Sequence, residues 1–329
     1  MAGQSSKLKI LYLMKIFMEK TDEEHYITMS DIMYELEGYD IECERKSIYR
    51  DIDALIEYGL DIEKVQKDKT CYYYLSTREF ELAEVKLLVD AVQSERFITQ
   101  RKSNALIKKI MGLTSSENAS ALQRQVYVNN RIKTDNESVL YLTDTIYNAI
   151  SSNKQISFKY FRYDVEKKKE IRNNGEPYVV SPWAVSFVED NYYLVAYSNE
   201  LGIRHFRVDK MLNCNILDAS REGKEIFAKF DVADYTKKRF KMFDGKVCSV
   251  SLKCKNSFAN VIVDTFGKDT MMVPDGDGYF TAHVDVAISH QFIGWVFSMD
   301  DNVVITGPEE VVNEAAAMVK ALGKLYKKK

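Results

Sequence analysis

The first sixty residues place apolar side chains with the period of α-helices. Leu8, Leu11, Met14 and Met18 recur at helical spacing, which predicts an amphipathic helix over residues 7–20. Thr28, with Asp31 three positions on, opens a second short helix that buries Ile32 and Leu36, and Gly38 breaks it. A third helix is predicted over residues 44–58 on the stripe Ile48, Ile52 and Leu55, with Gly59 placed to stop it. The pattern then turns to strands over 61–65 and 70–75, joined by the polar turn Gln66-Lys67-Asp68-Lys69. Three helices and a two-stranded ribbon predict a winged helix-turn-helix over residues 1–76.

Residues 77–138 form a helical linker. Ser76 and Glu79 read as the capping box of a helix reaching about Phe97, and a second helix over 103–111 closes on Gly112. Residues 114–120 are the most loop-like stretch and a candidate hinge. Between 139 and 220, one helix (139–151) leads into strands at 156–163, 167–172, 178–188, 192–197, 203–208 and 212–217. Short antiparallel strands with tight turns predict a small barrel. After a connector over 221–246, residues 247–329 alternate strand and helix, the pattern of a ferredoxin-like α+β sandwich. The expected fold class is multidomain α+β. In the last domain Phe292, Trp295, Val296 and Phe297 offer more apolar surface than one helix face readily hides, so they either support a dimer or fill the domain's own core.

Length and charge narrow the class. The chain of 329 residues suits two or three domains, and its net charge of −3 advertises no polyanion partner globally. Lys7, Lys9 and Lys15 break the early apolar run, and no apolar stretch of 18 residues occurs, so neither a signal peptide nor a membrane partner is expected. Five cysteines without a Cys-x-x-Cys pair point to reduced thiols in a cytoplasmic, bacterial-like protein. Enzyme chemistry finds no foothold. The four histidines form no His-Glu-x-x-His motif, Gly276-Asp277-Gly278 reads as a hairpin turn, and no Gly-x-Ser-x-Gly elbow is present. No catalytic residue, metal or cofactor is expected.

The most informative stretch is Asn191–Met211, two predicted strands joined at Ser198–Gly202. Alternation puts Arg204 and Phe206 on one face of the second strand and His205 and Arg207 on the other. Two arginines on a strand point to an anion or a partner. The plainer reading is ordinary ion pairing, for example with Asp209 or Glu189. Rings at Tyr160, Tyr192, Tyr193 and Phe206 with cations at Arg204, Arg207 and Lys210 are the combination that holds single-stranded nucleic acid, although core packing is an equal reading for Tyr193 and Phe206.

These parts, in this order, resemble the WYL-domain transcriptional regulators of bacteria. The family's triplet falls on Tyr192-Tyr193-Leu194, with tyrosine in place of tryptophan, and Ser181-Pro182-Trp183 matches the segment before it. The basic strand falls on Arg204 to Met211, with Lys210 where arginine is commoner, and the recognition helix on Arg45 to Ile52. The resemblance implies a DNA-binding head, an Sm-like barrel that senses a nucleic-acid or nucleotide effector, and a C-terminal dimer or regulatory module.

Expected contacts to double-stranded operator DNA are Arg45, Lys46, Ser47, Tyr49, Arg50 and Lys69. Expected effector contacts are Tyr160, Ser181, Tyr192, Tyr193, Arg204, Phe206 and Arg207, the effector being single-stranded DNA, RNA or a nucleotide. A homodimer is implied. Against DNA binding stands the head's charge: residues 1–75 hold 10 Lys and Arg and 16 Asp and Glu, a net of −6. The alternative is therefore an accessory module that binds RNA or single-stranded DNA while its acidic head contacts protein.

Overall fold

The computed structural model describes residues 2–125, 133–134, 136–228 and 245–326, with 231, 235, 238, 239, 242 and 243 between the last two segments. Much of the expected connector and one stretch of the helical linker thus lie outside the described residues. The chain divides into two compact units, Met1–Glu137 and Ser138–Lys329.

In the first unit α1 (Ala2–Lys20), α2 (Met29–Glu37) and α3 (Arg45–Tyr58) pack with a three-stranded antiparallel sheet of β1 (Ile27–Thr28), β2 (Ile62–Lys67) and β3 (Thr70–Leu75), in the order β1-β3-β2. The α1 period is helical, but its buried face is Leu13, Ile16 and Phe17, while Leu8, Leu11 and Met18 stand exposed. The helix has two apolar stripes, and only the partners Ile32, Leu36, Ile48 and Ile52 decide which one is covered. The start of α2 is a capping box: Asp31 N donates to Thr28 Oγ1 at 3.2 Å, and Thr28 N donates to Asp31 Oδ2 at 3.0 Å. Gly59 ends α3 at φ 116°, a left-handed conformation that glycine adopts without strain. Asp68 and Lys69 make the hairpin turn at φ 47° and 67°.

Two linker expectations are corrected. The helix α4 (Leu82–Ser94) starts later than expected, with the capping box on Glu81 and Glu84. Ser76 is occupied elsewhere: its amide donates to Asp61 O at 2.8 Å, which closes the base of the β2–β3 ribbon. After α5 (Gln100–Met111), the expected hinge is largely the helix α6 (Ser116–Gln125). Asn118 N donates to Ser115 Oγ at 3.2 Å, and the Ser115 hydroxyl donates in turn to the Asp22 carboxylate, which also accepts from Asn118 Nδ2 at 3.0 Å. This cap depends on a residue 93 positions away, so local composition reads as loop.

The second unit opens with α7 (Val139–Ser151), the expected helix. A curled antiparallel sheet follows in the order β5-β4-β6-β7-β8, made of β4 (Lys154–Tyr163), β5 (Lys169–Ile171), β6 (Tyr178–Val188), β7 (Asn191–Ser198) and β8 (Gly202–Arg207), while β9 (Met211–Ser220) pairs with β4. Register shifts at Pro182/Ala184 and along the β4–β9 pair bend it, as bulges do. The result is a half-barrel. A short helix, α8 (Lys224–Phe227), follows β9. The remaining strands β10 (Val247–Lys255), β11 (Met271–Pro274), β12 (Tyr279–Ala287) and β13 (Val303–Gly307) form an antiparallel sheet in the order β11-β12-β10-β13. Helices α9 (Ala259–Phe266), α10 (His290–Phe297) and α11 (Glu309–Leu325) alternate with them. Phe292 and Val296 are fully buried here, and Trp295 and Phe297 pack against the same core. The domain's own interior therefore accounts for the apolar surplus on α10.

Candidate nucleic-acid interface and anion site

On α3 the buried stripe Ile48, Ile52 and Leu55 faces the core and leaves Arg45, Lys46, Tyr49 and Arg50 exposed together on the outer face. Arg45 Nη2 donates to Ser30 Oγ on α2 at 3.3 Å, which holds the guanidinium beside the helix start. Ser47 is turned the other way: the ammonium of Lys9, only 6% exposed, donates to its hydroxyl. Lys9 also pairs with Asp51 at 2.7 Å. Ser47 thus serves the α1–α3 contact and is removed from the outward-facing set. The inward pair withdraws one cation together with one carboxylate and leaves the head's net charge of −6 unchanged, while Asp22 is hydrogen-bonded by Ser115, Asn118 and His25. Against that acidic surplus, the first turns of α3 display Arg45, Lys46 and Arg50. Lys69 is exposed at the ribbon tip.

In the second unit the β7–β8 register sets Tyr193 opposite Arg207, so both side chains share a face. Arg207 Nε donates to Asp209 Oδ1 and Nη2 to Asp209 Oδ2, each at 3.0 Å, and Nη2 also donates to Asn191 Oδ1 at 2.6 Å. The Arg207 backbone N–H donates to Tyr160 Oη at 3.1 Å. Lys210 Nζ lies 3.4 Å from Asp209 Oδ2 and stands over the Tyr163 and Phe161 rings at 4.6 and 5.2 Å. Burial pushes the Tyr160 and Tyr193 hydroxyls above their ordinary values. It works against the Arg207 charge, but the bonds to Asp209 and the nearby tyrosine hydroxyls more than restore it, so the guanidinium stays ionised. Tyr160, Tyr193 and Arg207 therefore meet, with Asn191 and Asp209 completing the arrangement.

The other expected effector residues lie elsewhere. Tyr192 follows the opposite face of β7, 4.9 Å ring to ring from Phe187. Phe206 is 6% exposed, in an edge-on ring cluster with Phe158, Tyr160 and Tyr178, and supports Tyr160 from behind. Ser181 is fully buried, and its hydroxyl accepts from Glu222 N at 2.8 Å. It anchors the segment after β9, where Trp183 stacks on Phe227 at 4.6 Å and Arg221 covers the indole at 4.1 Å. Arg204 is exposed, with Nη1 on Ile203 O at 3.0 Å. A separate polar cleft of about 490 Å³, lined by Gln155, Tyr178, Ser198 and Glu222 among others, holds none of the expected effector contacts. Asp209 could be named from sequence as the ion-pair partner of Arg207, the plainer reading of the strand, and that pair is present. Asn191 could not, because only the strand pairing brings it near.

Residues 142–216 match the WYL domain and residues 246–323 the WCX domain. The curled sheet with its tyrosine–arginine pair thus lies in a WYL domain, and the β10–α11 segment in a WCX domain. The chain carries a WYL domain followed by a WCX domain. Among solved structures it is similar to proteasome accessory factor B/C (PafBC) of Arthrobacter aurescens, at 16% identity over 98% of this chain and 49% of that one, with a TM-score of 0.28. The chain therefore spans about half the length of that relative. It is also similar to a CRISPR Cas-related protein, at 13% identity over 74% of this chain and 71% of that one, with a TM-score of 0.36. No curated protein matches the chain. Among the described residues, no helix is long and apolar enough to cross a membrane.

Proposed function

We propose that the protein is a DNA-binding transcriptional regulator whose WYL domain binds a nucleic-acid or nucleotide effector. The observation that carries this reading is the outer face of α3, where Arg45, Lys46, Tyr49 and Arg50 stand together while Ser47 and Asp51 turn inward to Lys9. In this reading the first unit holds a winged helix-turn-helix, with α3 in the major groove and the β2–β3 ribbon with Lys69 as the wing. The curled sheet works as the Sm-like sensor, with Tyr160, Tyr193 and Arg207 facing the effector. The strand order β11-β12-β10-β13 with interleaved helices supports a ferredoxin-like C-terminal domain. Exposed Val319, Leu322 and Leu325 on α11 support self-association to a homodimer. The protein acts in the cytoplasm and has no enzymatic role.

Selection of bound fragments from random duplex DNA tests the reading. Enriched sites should be inverted repeats with half-sites about 10–10.5 base pairs apart or a multiple of this. Arg45→Ala should cost about 1–3 kcal/mol and relax specificity, whereas Arg50→Ala should weaken all sequences alike. Equal binding by folded variants and wild type refutes it. The head's acidic surplus favours one second reading, an accessory module that holds RNA or single-stranded DNA and contacts protein through its first unit. It forecasts no salt-dependent duplex binding at all.

A further inference from the structure

Resting on the reading of the WYL domain as an effector site, we infer that Asp209 is a built-in competitor for the anion seat of Arg207, and that the seat therefore selects a terminal phosphate monoester over the phosphodiesters of an uninterrupted strand. A guanidinium recognises an oxyanion best through two parallel N–H donors, and on Arg207 the Nε/Nη2 edge is already closed by the two Asp209 oxygens at 3.0 Å each. The second Nη2 hydrogen goes to Asn191 at 2.6 Å. Asp209 is 8% exposed and lies between two cations, Arg207 and Lys210, the latter at 3.4 Å. A carboxylate and a phosphate both present paired oxygens to such a fork. Asp209 thus occupies the place a ligand phosphate would take, while Tyr193, opposite Arg207 in the sheet, offers a ring beside it.

Exchange at this seat is a contest of charges. A phosphodiester carries one negative charge, as Asp209 does, so replacing the carboxylate gains little attraction and leaves a repelled Asp209 nearby. A terminal monoester carries nearly two negative charges at neutral pH. Its extra charge is attracted by both Arg207 and Lys210 against repulsion from the single displaced Asp209, a net of about one unit of positive charge. One additional unit charge at about 4 Å in a water-like medium corresponds to a preference of about fivefold, and more where water is excluded. Asp209 sits only two residues from Arg207, in the short turn Val208–Lys210, so the pair can separate by a local change of that turn.

The test is a fluorescence titration of the full chain with one short labelled single strand, prepared with a 5′-phosphate, with a 3′-phosphate and with hydroxyl ends only. Wild type should bind one of the phosphate-ended strands at least about fivefold more tightly than the hydroxyl-ended one. The near-isosteric Asp209→Asn should bind the hydroxyl-ended strand more tightly than wild type does, and should lose most of the preference. Equal binding of all three strands by wild type overturns the inference and leaves the effector reading intact. Weaker binding of every strand by Asp209→Asn also overturns it, since Asp209 would then be holding Arg207 in position. If neither protein binds any strand, both the inference and the effector reading fall. The wild-type comparison needs no variant, so a misfolded Asp209→Asn cannot rescue the proposal.

Discussion

The ion pair beneath α3 makes a quantitative claim about the head. Lys9 and Asp51 have side chains 8% and 19% exposed and lie 2.7 Å apart, and Asp51 Oδ2 has no hydrogen-bond partner besides that cation among the described residues. Lys9→Met keeps the apolar stem but leaves a largely desolvated carboxylate facing a thioether. Removing one partner of a fully buried pair costs about 3–5 kcal/mol, and the residual water access of Asp51 lowers this to about 2–3 kcal/mol. The double variant Lys9→Met/Asp51→Leu should recover most of the loss, because both charges are then gone. Tryptophan fluorescence will miss the effect, since Trp183 and Trp295 both lie in the second unit. Hydrogen exchange at the α1 and α3 amides reports on the first unit directly. At neutral pH their exchange should accelerate by about 30-fold to 150-fold in Lys9→Met, while the fluorescence midpoint in urea stays unchanged. Duplex DNA affinity should fall as well, although a side chain so deeply buried makes no contact with DNA. An Lys9→Met protein with wild-type protection of α3 would refute the account of how the helix is held.

Ser181 and Phe206 separate support from contact. Ser181→Ala strips the Glu222 amide of its buried acceptor and should cost about 1–3 kcal/mol, measured by urea unfolding, with effector affinity unchanged. Phe206→Ala should cost about 3–5 kcal/mol in the same assay, because it empties the ring cluster behind Tyr160. Burial opposes the Asp22 charge, but the bonds from Ser115, Glu24 N and His25 outweigh it and hold the carboxyl below its ordinary value. Its contribution is therefore present near neutral pH and lost as pH falls below about 4, through the depressed folded value, so thermal midpoints should drop less between pH 6 and pH 3 in Asp22→Asn than in wild type. Cys214 and Cys254 are pushed up to about 11 by burial, so thiol labelling of the native protein at pH 7 should reach exposed Cys71 first and leave both unmodified.

What the chain determined by itself is local and periodic. The α3 stripe, the Thr28–Asp31 capping box, the Gly59 stop, helix 139–151 and strands 178–188 and 279–287 depend on neighbours within a few residues, and they lie where the pattern puts them. Tertiary structure decided whatever depends on distant partners. Two apolar stripes run along α1, and packing against α2 and α3 chose Leu13, Ile16 and Phe17 for burial. Asp22 capped α6 across 93 positions and turned an apparent hinge into a helix. In the WYL sheet, alternation separated Arg204 from Arg207, but only the strand register could set Tyr193 and Asn191 beside Arg207 and leave Tyr192 against Phe187. Residue type announces that a ring or a guanidinium is present. Which of its two faces is covered is a property of the surfaces it meets, and those come from segments the local pattern does not contain.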